Sequence, residues 1–172
     1  MSAIIRRAEP ADAEALALVG RATFLETYAG QLPAADILAH CARQHAPELY
    51  AAWLASAGHR LWIAEAREGA APVGYAVLGP PDLPVPTSGE DVEIKRIYLL
   101  HRFQGQGLGA GLMRACLDGA REAGFGRALL GVFGRNEAAI GFYRRQGFAL
   151  AGERKFQVGA SVYDDFVLAR PL

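Results

Sequence analysis

The chain has 172 residues, the usual length of one domain, and can bury about 70% of its unfolded surface without a disulfide or a metal. Its 18 Lys+Arg balance 18 Asp+Glu, so net charge provides no attraction to nucleic acid or to a membrane. Its 52% hydrophobic and 21% charged residues exclude a disordered protein, a collagen and a coiled coil. We expect a single domain over residues 1–172 with neither nucleic acid nor membrane as partner.

The N-terminal segment and the cysteines indicate a cytoplasmic protein. Residues 1–7 lack the apolar run of a signal peptide, and no uncharged run approaches the ~18 apolar residues of a membrane span. Cys41 and Cys116 lie in Ala/Leu-rich segments without metal-ligand spacing, which favours reduced core thiols. The four histidines form no metal-binding set either, so no metal is expected.

The first half of the chain predicts a strand, two helical regions and a pair of strands. These elements are a strand at 3–8, a helix opened by Pro10, a helical region at about 34–57, and strands at 61–65 and 72–78. Pro47 interrupts the second helical region. Four prolines in 79–90 predict a loop, because proline is excluded from helix interiors and central strands.

The second half predicts alternating strands and helices. The elements are a strand at 92–100, a helix at 107–123, a strand at 128–133, a helix capped by Asn136 and ended by Gly147, and strands at about 148–156 and 161–169. The first three form a β-α-β unit, which implies two parallel strands with a right-handed crossover. The flanking strands make the fold class α/β with a mixed sheet.

A glycine-rich turn joins the strand at 92–100 to the following helix. Gly105, Gly107 and Gly109 occupy alternate positions, and glycine lets backbone amides approach a ligand closely. Amides at a helix N-terminus favour an anion, and a pyrophosphate is the natural one. A tight turn without a ligand stays open as the alternative.

The same turn satisfies the relaxed dinucleotide fingerprint, Gly105-x-Gly107-x-x-Ala110. That fingerprint normally follows the first strand of a domain, with an acidic residue about 20 residues further on. Here the turn lies past the middle of the chain, and the strand at 128–133 ends without Asp or Glu. These departures disfavour a nicotinamide or flavin enzyme.

Four residues of the next helix share one face because of their spacing: Asn136, Ala139, Ile140 and Tyr143. Asn136 offers an amide and Tyr143 a phenol along one line, two turns apart. The alternative for Tyr143 is a core tyrosine whose hydroxyl is bonded at the edge of the core.

The two motifs in this order resemble those of the GCN5-related N-acetyltransferase (GNAT) superfamily. The first is Gln104-Gly-Gln-Gly107-Leu-Gly109, and the second comprises Val132, Asn136, Ala139, Tyr143, Gly147 and Phe148. The resemblance covers about 92–148 closely and the rest loosely. It implies a GNAT-type mixed, mostly antiparallel sheet with a central parallel β-α-β unit and flanking helices, and homodimers are common in the superfamily.

The resemblance also implies acetyl-coenzyme A as co-substrate. The main chain of Ile97–Leu99 would pair with the pantetheine arm as an added strand would, and the amides of 104–110 would hold the pyrophosphate. The residues assigned to the cofactor are Ile97, Tyr98, Leu99, Gln104, Gly105, Gln106, Gly107, Leu108, Gly109, Ala110, Asn136, Ala139, Phe142 and Tyr143.

Further segments resemble the PaiA-like polyamine acetyltransferase group. They are Phe24-Leu-Glu-Thr-Tyr28, Glu93-Ile-Lys-Arg-Ile-Tyr98, Leu130-Gly-Val and Gly152-x-x-x-Phe156-x-x-Gly159. The group usually has a histidine where this chain has Arg154, which would repel a polycation. The resemblance implies a primary amine as acceptor, while polyamines, amino acids, antibiotics and protein N-termini all stay open.

The chemistry needs a base and an acid. An amine with a pKa of roughly 10.4 must lose a proton before it attacks a thioester. Strict alternation would place Glu93 on the face of Ile97, and the resemblance makes it the general base, directly or through water; pairing with Lys95 or Arg96 is the alternative. Tyr143, a phenol with a pKa of roughly 10, would protonate the leaving thiolate.

Two wider expectations complete the sequence-based hypothesis. A set of carboxylates either lines an acidic acceptor pocket or is scattered and solvated: Glu26, Glu90, Asp91 and Glu93. The protein is expected to be an acetyl-CoA-dependent N-acetyltransferase, and the alternative is a non-catalytic module that binds and senses acetyl-CoA.

Overall fold

One seven-stranded sheet dominates the computed structural model, which describes residues 3–172. The strands are β1 Ala3–Arg7, β2 Arg60–Ala66, β3 Pro72–Gly79, β4 Asp91–Leu99, β5 Arg127–Phe133, β6 Ala149–Val158 and β7 Ser161–Pro171. Their spatial order is β1-β2-β3-β4-β5-β7-β6, and only β4 and β5 are parallel. The predicted fold class, a mostly antiparallel mixed sheet with one parallel pair, is confirmed.

Five α-helices flank the sheet: α1 Ala13–Tyr28, α2 Ala34–Gln44, α3 Pro47–Ala55, α4 Leu108–Glu122 and α5 Glu137–Arg145. Pro47 opens α3 in its first turn, where the missing N–H has no helical partner to lose. Pro10 opens a 3₁₀ turn, Pro10–Asp12, so the predicted helix there begins three residues later than expected. The reason is a capping box between Glu9 and Asp12 that closes this short turn first.

The helices cover the two faces of the sheet separately. On one face, α4 and α5 bury an apolar core in which Leu112, Cys116 and Ala120 are each 0% exposed. These residues repeat every four positions, so they form one apolar stripe along α4. On the opposite face, α1 and α3 pack Leu16 and Tyr50 against β2 and β3. The sheet is therefore buried on both sides at its centre.

A bulge in β4 changes which face each of its residues occupies. Arg96 pairs with Val77 and Ile94 pairs with Leu78, so Lys95 is an extra residue in β4. Because one added residue reverses the alternation, Ile94 and Ile97 both contribute to the core beneath α4. Tyr98 and Arg96 lie on the α1 side.

The parallel pair β4–β5 separates soon after it begins. Pairing joins Asp91–Glu93 to Arg127–Leu129 and does not continue to the ends of these strands in residues 3–172. Beyond this point Ile97–Leu99 keep their β3 partners on one edge only. The sheet therefore opens between the end of β4 and the end of β5, and this opening positions the candidate site.

Three further observations concern the described chain as a whole. Over residues 3–172 no helix combines the length and the apolarity needed to cross a bilayer. Within the same range, no group of three metal-ligating side chains comes together. Cys41 and Cys116 are free thiols, and burial raises the pKa of the Cys116 thiol.

Candidate active site

A cavity of about 1080 Å³ opens where β4 and β5 separate. Its walls come from the end of α1, the end of β4, the turn before α4, the end of β5 and the outward face of α5. This volume exceeds the roughly 300–1,000 Å³ of ordinary small-molecule pockets, so it has room for a long ligand together with a second reactant.

One end of the cavity is an uncapped helix N-terminus. Gly107 precedes α4 with φ 81°, and no side chain caps the helix. The first helical bond runs from the Gly111 N–H to the Gly107 carbonyl at 2.9 Å. The amides of Leu108, Gly109 and Ala110 therefore have no helical acceptor, and the first turn contains no acidic side chain to occupy them. This end of the cavity is built to receive an anion.

Two observations concern Gly105 and Gly107 in the turn: their backbone conformation and the open space beside them. Gly105 has φ 74° and Gly107 has φ 81°, a backbone region in which residues with a Cβ are strained. Backbone conformation alone thus accounts for both, as the tight-turn alternative requires. A Cβ at either position would meet no atom within 4 Å, so both positions also border open space that a ligand can enter.

The second wall is an unpaired strand edge. Ile97, Tyr98 and Leu99 all line the cavity, and β3 binds only their other edge. The Leu99 carbonyl accepts the Gln104 Nε2–H at 3.1 Å, and the other main-chain groups on this edge can pair with an extended ligand that carries amides, as an added strand does. The pairing of Ile97–Leu99 with a pantetheine arm stays a prediction.

The third wall is the face of α5 that the sequence predicted. Asn136 caps α5, because its Oδ1 accepts the Ala139 N–H at 3.1 Å. Asn136, Ala139, Phe142 and Tyr143 line the cavity, whereas Ile140 turns into the core.

Tyr143 packs in the core and also borders the cavity, and its catalytic role stays a prediction. It is 9% exposed and belongs to the core, with its ring edge-on to Phe142 at 5.4 Å and to Phe148 at 6.2 Å. It also lines the cavity. Burial raises its pKa above the ordinary value for tyrosine, with smaller contributions from Tyr98 and Cys116. The phenol is therefore held protonated beside the cavity.

Twelve of the fourteen predicted cofactor residues line this one cavity. The other two lie outside its lining. The Gln106 amide donates to the Arg102 carbonyl at 3.2 Å, and Leu108 packs against the core beneath α4. Their backbone amides still belong to the turn, which is where the prediction placed their contribution.

The predicted face of Glu93 is wrong. Strict alternation was assumed, but the bulge at Lys95 puts Glu93 on the face opposite Ile97. The Glu93 carboxylate is outside the cavity lining and 6% exposed. Its Oε2 accepts the Asp82 N–H at 2.7 Å and the Lys95 ammonium at 3.1 Å. The ion pair that the sequence left as an alternative is therefore formed.

The four-carboxylate pocket is not formed either. Of these four residues, Glu26 alone lines the cavity. Glu90 and Asp91 lie at the beginning of β4, where the two parallel strands are still paired, whereas the cavity opens at their far ends. Asp91 is instead bound by Arg127, whose hydrogen bonds hold the pKa of that carboxyl at about 2.

The end of α1 and the turn after it contribute lining residues that the sequence patterns did not assign to the cofactor: Glu26, Thr27, Tyr28, Ala29 and Gln31. The Glu26 carboxylate accepts the His101 N–H at 2.9 Å and so ties α1 to the turn before α4. Tyr28 packs edge-on against Phe133 across the opening, with ring centres 5.8 Å apart. The segment Phe24–Tyr28 was recognisable in the sequence, but nothing in it indicated which strands it faces.

Two exposed arginines, Arg135 and Arg145, also line the cavity. Their cations suit the same anionic ligand as the α4 amides, because guanidinium groups bind phosphates well. Isolated arginines before and within an amphipathic helix carry no sequence signal that separates them from a solvated face.

Comparison with known proteins agrees with this geometry. The model of the acetyltransferase (GNAT) family matches residues 22–148. An uncharacterized N-acetyltransferase of Mycobacterium tuberculosis is 37% identical over 110 residues, which span 64% of this chain and 67% of the relative. N-acetyltransferase 8B of Homo sapiens is 30% identical over 117 residues, 65% of this chain and 48% of that protein.

Among solved structures, the PaiA N-acetyltransferase from Thermoplasma acidophilum in complex with coenzyme A superposes with a TM-score of 0.80 at 20% identity, covering 100% of both chains. At this identity the likeness concerns the fold. Together, the family match and the relatives define an acetyl-CoA-dependent acyltransferase. The chain belongs to the acetyltransferase (GNAT) family.

Proposed function

We propose that the protein transfers the acetyl group of acetyl-CoA to a primary amine by direct attack, within the cavity between β4 and β5. The observation that carries this proposal is that one cavity joins an uncapped helix N-terminus, a free strand edge and a protonated phenol. Each feature suits one part of acetyl-CoA. The helix N-terminus suits its anionic end, the strand edge suits its amide-bearing arm, and the phenol suits the thiolate that leaves.

The donor side uses backbone groups. The amides at the start of α4 bind the pyrophosphate, assisted by Arg135 and Arg145, and the edge of Ile97–Leu99 pairs with the pantetheine arm. Acetyl-CoA supplies a thioester, whose C–S bond breaks as the acceptor nitrogen forms the new C–N bond. Holding amine and thioester together provides most of the rate enhancement.

Tyr143 is the general acid. Its raised pKa keeps the proton on the phenol at neutral pH, and it gives that proton to the departing thiolate. The packed ring holds the hydroxyl in place against Phe142 and Phe148.

Two carboxylates are candidates for the base. Glu93 lies outside the cavity lining and on the face of β4 opposite Ile97, so it can take the amine proton only through intervening water. Glu26 is favoured by a different observation, since it lines the cavity itself. Its carboxylate is held by the His101 N–H, which leaves the other oxygen for a proton.

The acceptor is a small primary amine. Segments such as Phe24–Tyr28 and the structural likeness to a PaiA N-acetyltransferase support placing the protein near the PaiA-like group. Polyamines therefore belong in any acceptor panel, beside amino acids and monoamines.

An acceptor screen tests the proposal. Acetyl-CoA is incubated with a panel of amines and of matched alcohols, and thiol release is followed together with the mass of the product. We expect N-acetylated amines and equimolar free coenzyme A. Reaction with alcohols only would contradict the amine assignment, and tight binding of acetyl-CoA without any product would favour a sensing module.

A further inference from the structure

The cavity reaches both faces of the sheet where β4 and β5 separate. In β4, Ile97 and Leu99 pack on the core beneath α4, whereas Tyr98 between them packs on the α1 side. In β5, Val132 belongs to the core beneath α4, and Phe133 belongs to a cluster with α1 and α2. All five residues line the cavity. The proposed donor features lie at the turn, the strand edge and α5, so the α1 side is left for the second reactant.

Two phenols line the cavity on this α1 side, Tyr28 and Tyr98. The ring of Tyr28 packs on Phe24 with ring centres 4.5 Å apart and on Phe133 at 5.8 Å. The ring of Tyr98 stacks on that of Tyr75 at 6.0 Å. Packing on both rings fixes where the two hydroxyls point, so their hydrogen bonding can be examined atom by atom.

The hydroxyls of Tyr28 and Tyr98 bond no group within residues 3–172 except each other. Burial is the main cause that raises the pKa of both, while their mutual hydrogen bond raises the pKa of Tyr28 further and lowers that of Tyr98, so Tyr28 donates and Tyr98 accepts. By contrast, the Tyr50 hydroxyl outside the cavity accepts the Arg96 Nη1–H at 2.8 Å and lies 2.9 Å from Nδ1 of His45. Hydroxyls of buried tyrosines normally find such partners.

Both oxygens are open to the cavity. In the described part of the chain, fully buried side-chain atoms without a partner occur only in Tyr75 and Asp165, so the hydroxyls of Tyr28 and Tyr98 are not sealed inside the protein. A phenol oxygen can donate one hydrogen bond and still accept another. The pair therefore presents two neighbouring acceptor oxygens. It also lies near the proposed general acid, because Tyr98 adds to the effect of burial in raising the pKa of Tyr143.

We propose that the hydroxyl oxygens of Tyr28 and Tyr98 each accept one N–H of the acceptor amine, and that this pair makes the enzyme selective for primary over secondary amines. The inference rests on the proposed function and adds residues that determine its specificity. A neutral primary amine has two N–H groups and one lone pair. The two oxygens hold the N–H groups and leave the lone pair for the thioester carbon. A neutral secondary amine has one N–H and leaves one oxygen without a donor.

A weakly basic probe tests the selectivity of the wild-type protein. The electron-withdrawing fluorines of 2,2,2-trifluoroethylamine keep its amino group neutral at pH 8, and ¹⁹F NMR measures even weak binding. The Kd for the enzyme–coenzyme A complex is compared with that of N-methyl-2,2,2-trifluoroethylamine. We expect the primary amine to bind about 10-fold to 100-fold more tightly. Equal affinities, or binding of neither probe, would overturn the inference.

Tyr28→Phe and Tyr98→Phe test the two oxygens, because each variant keeps the packed ring and removes one acceptor. We expect each to raise the Kd of the primary amine about 3-fold to 10-fold and to reduce its preference over the N-methyl compound. Tyr75→Phe is the matched control, since Tyr75 stacks on Tyr98 but lies outside the cavity lining. It should change neither value. If the variants only gain affinity for the N-methyl compound, the hydroxyls act by excluding bulk, and the hydrogen-bonding assignment is overturned.

These binding measurements need no turnover, so they separate the inference from the proposed function. If the wild type shows the preference and the variants lose it, but no amine is acetylated, the proposed function fails and the amine site stands. If amines are acetylated but both variants bind the primary amine as the wild type does, the amine site fails and the proposed function stands. If one variant fails to fold, the other decides, and if both fail, the wild-type preference decides.

Discussion

Replacing Gly107 by valine tests the anion site at the start of α4. Valine at φ 81° costs about 1–2 kcal/mol of stability, whatever the ligand. The added side chain enters open space within the cavity, where the phosphates are proposed to lie. The substitution should therefore weaken the fold slightly and remove most of the binding of acetyl-CoA.

The magnitude follows from linkage. At 100 times its Kd, acetyl-CoA stabilises the wild type by about 2.7 kcal/mol. In a chain of this size that is a rise in Tm of about 5–11 °C. Thermal unfolding with and without acetyl-CoA measures this rise directly, and we expect it to be nearly absent in Gly107→Val.

Gly124→Val is a matched control at the other end of the same helix. Gly124 has φ 84°, and a Cβ there also meets nothing within 4 Å, but it does not line the cavity. Both variants should lose about the same stability without ligand, while only Gly107→Val loses the acetyl-CoA shift. An undiminished shift in Gly107→Val would refute the anion-site argument.

Three further predictions concern catalysis and stability. Tyr143→Phe keeps the packed ring and removes the proton donor, so the single-turnover rate should fall about 10²–10⁴-fold with unchanged Tm; an unchanged rate would assign the proton to water. Glu93→Gln and Glu26→Gln identify the base. Removing the base should lower kcat/KM most near neutral pH and less at a pH where the amine is already neutral, whereas a pH-independent loss would indicate a binding or structural role. Burial, assisted by Arg96, lowers the pKa of His45 from 6.5 to about 2, so its stabilising contribution is complete above pH 6.5 and is lost as pH falls. The free energy of unfolding measured in urea should therefore be about 2 kcal/mol lower at pH 5 than at pH 8. Equal stability at the two pH values would contradict this assignment to His45.

Local patterns in the sequence were enough to predict most of the fold. The apolar stripe of α4 and the caps Asn136 and Gly147 each act within a few residues, so their signals survive without tertiary information. Most of the residues that were predicted to bind the cofactor line one cavity, because they belong to two such local motifs, the turn at 104–110 and the face of α5.

The errors arose where geometry depends on distant strands. The bulge at Lys95 is a feature of the pairing between β3 and β4, and no residue of β4 indicates it in the sequence. The predicted face of Glu93 was wrong for this reason.

The most direct test of the proposed acetyl transfer is a single-turnover, rapid-quench experiment with acetyl-CoA labelled in the acetyl carbon, together with the amine of highest kcat/KM. Direct attack predicts that label leaves coenzyme A and appears on the amine nitrogen at the same rate, with none on the protein at any time. Label held on the protein before the amine product forms, or label lost as acetate with the amine unchanged, would contradict it.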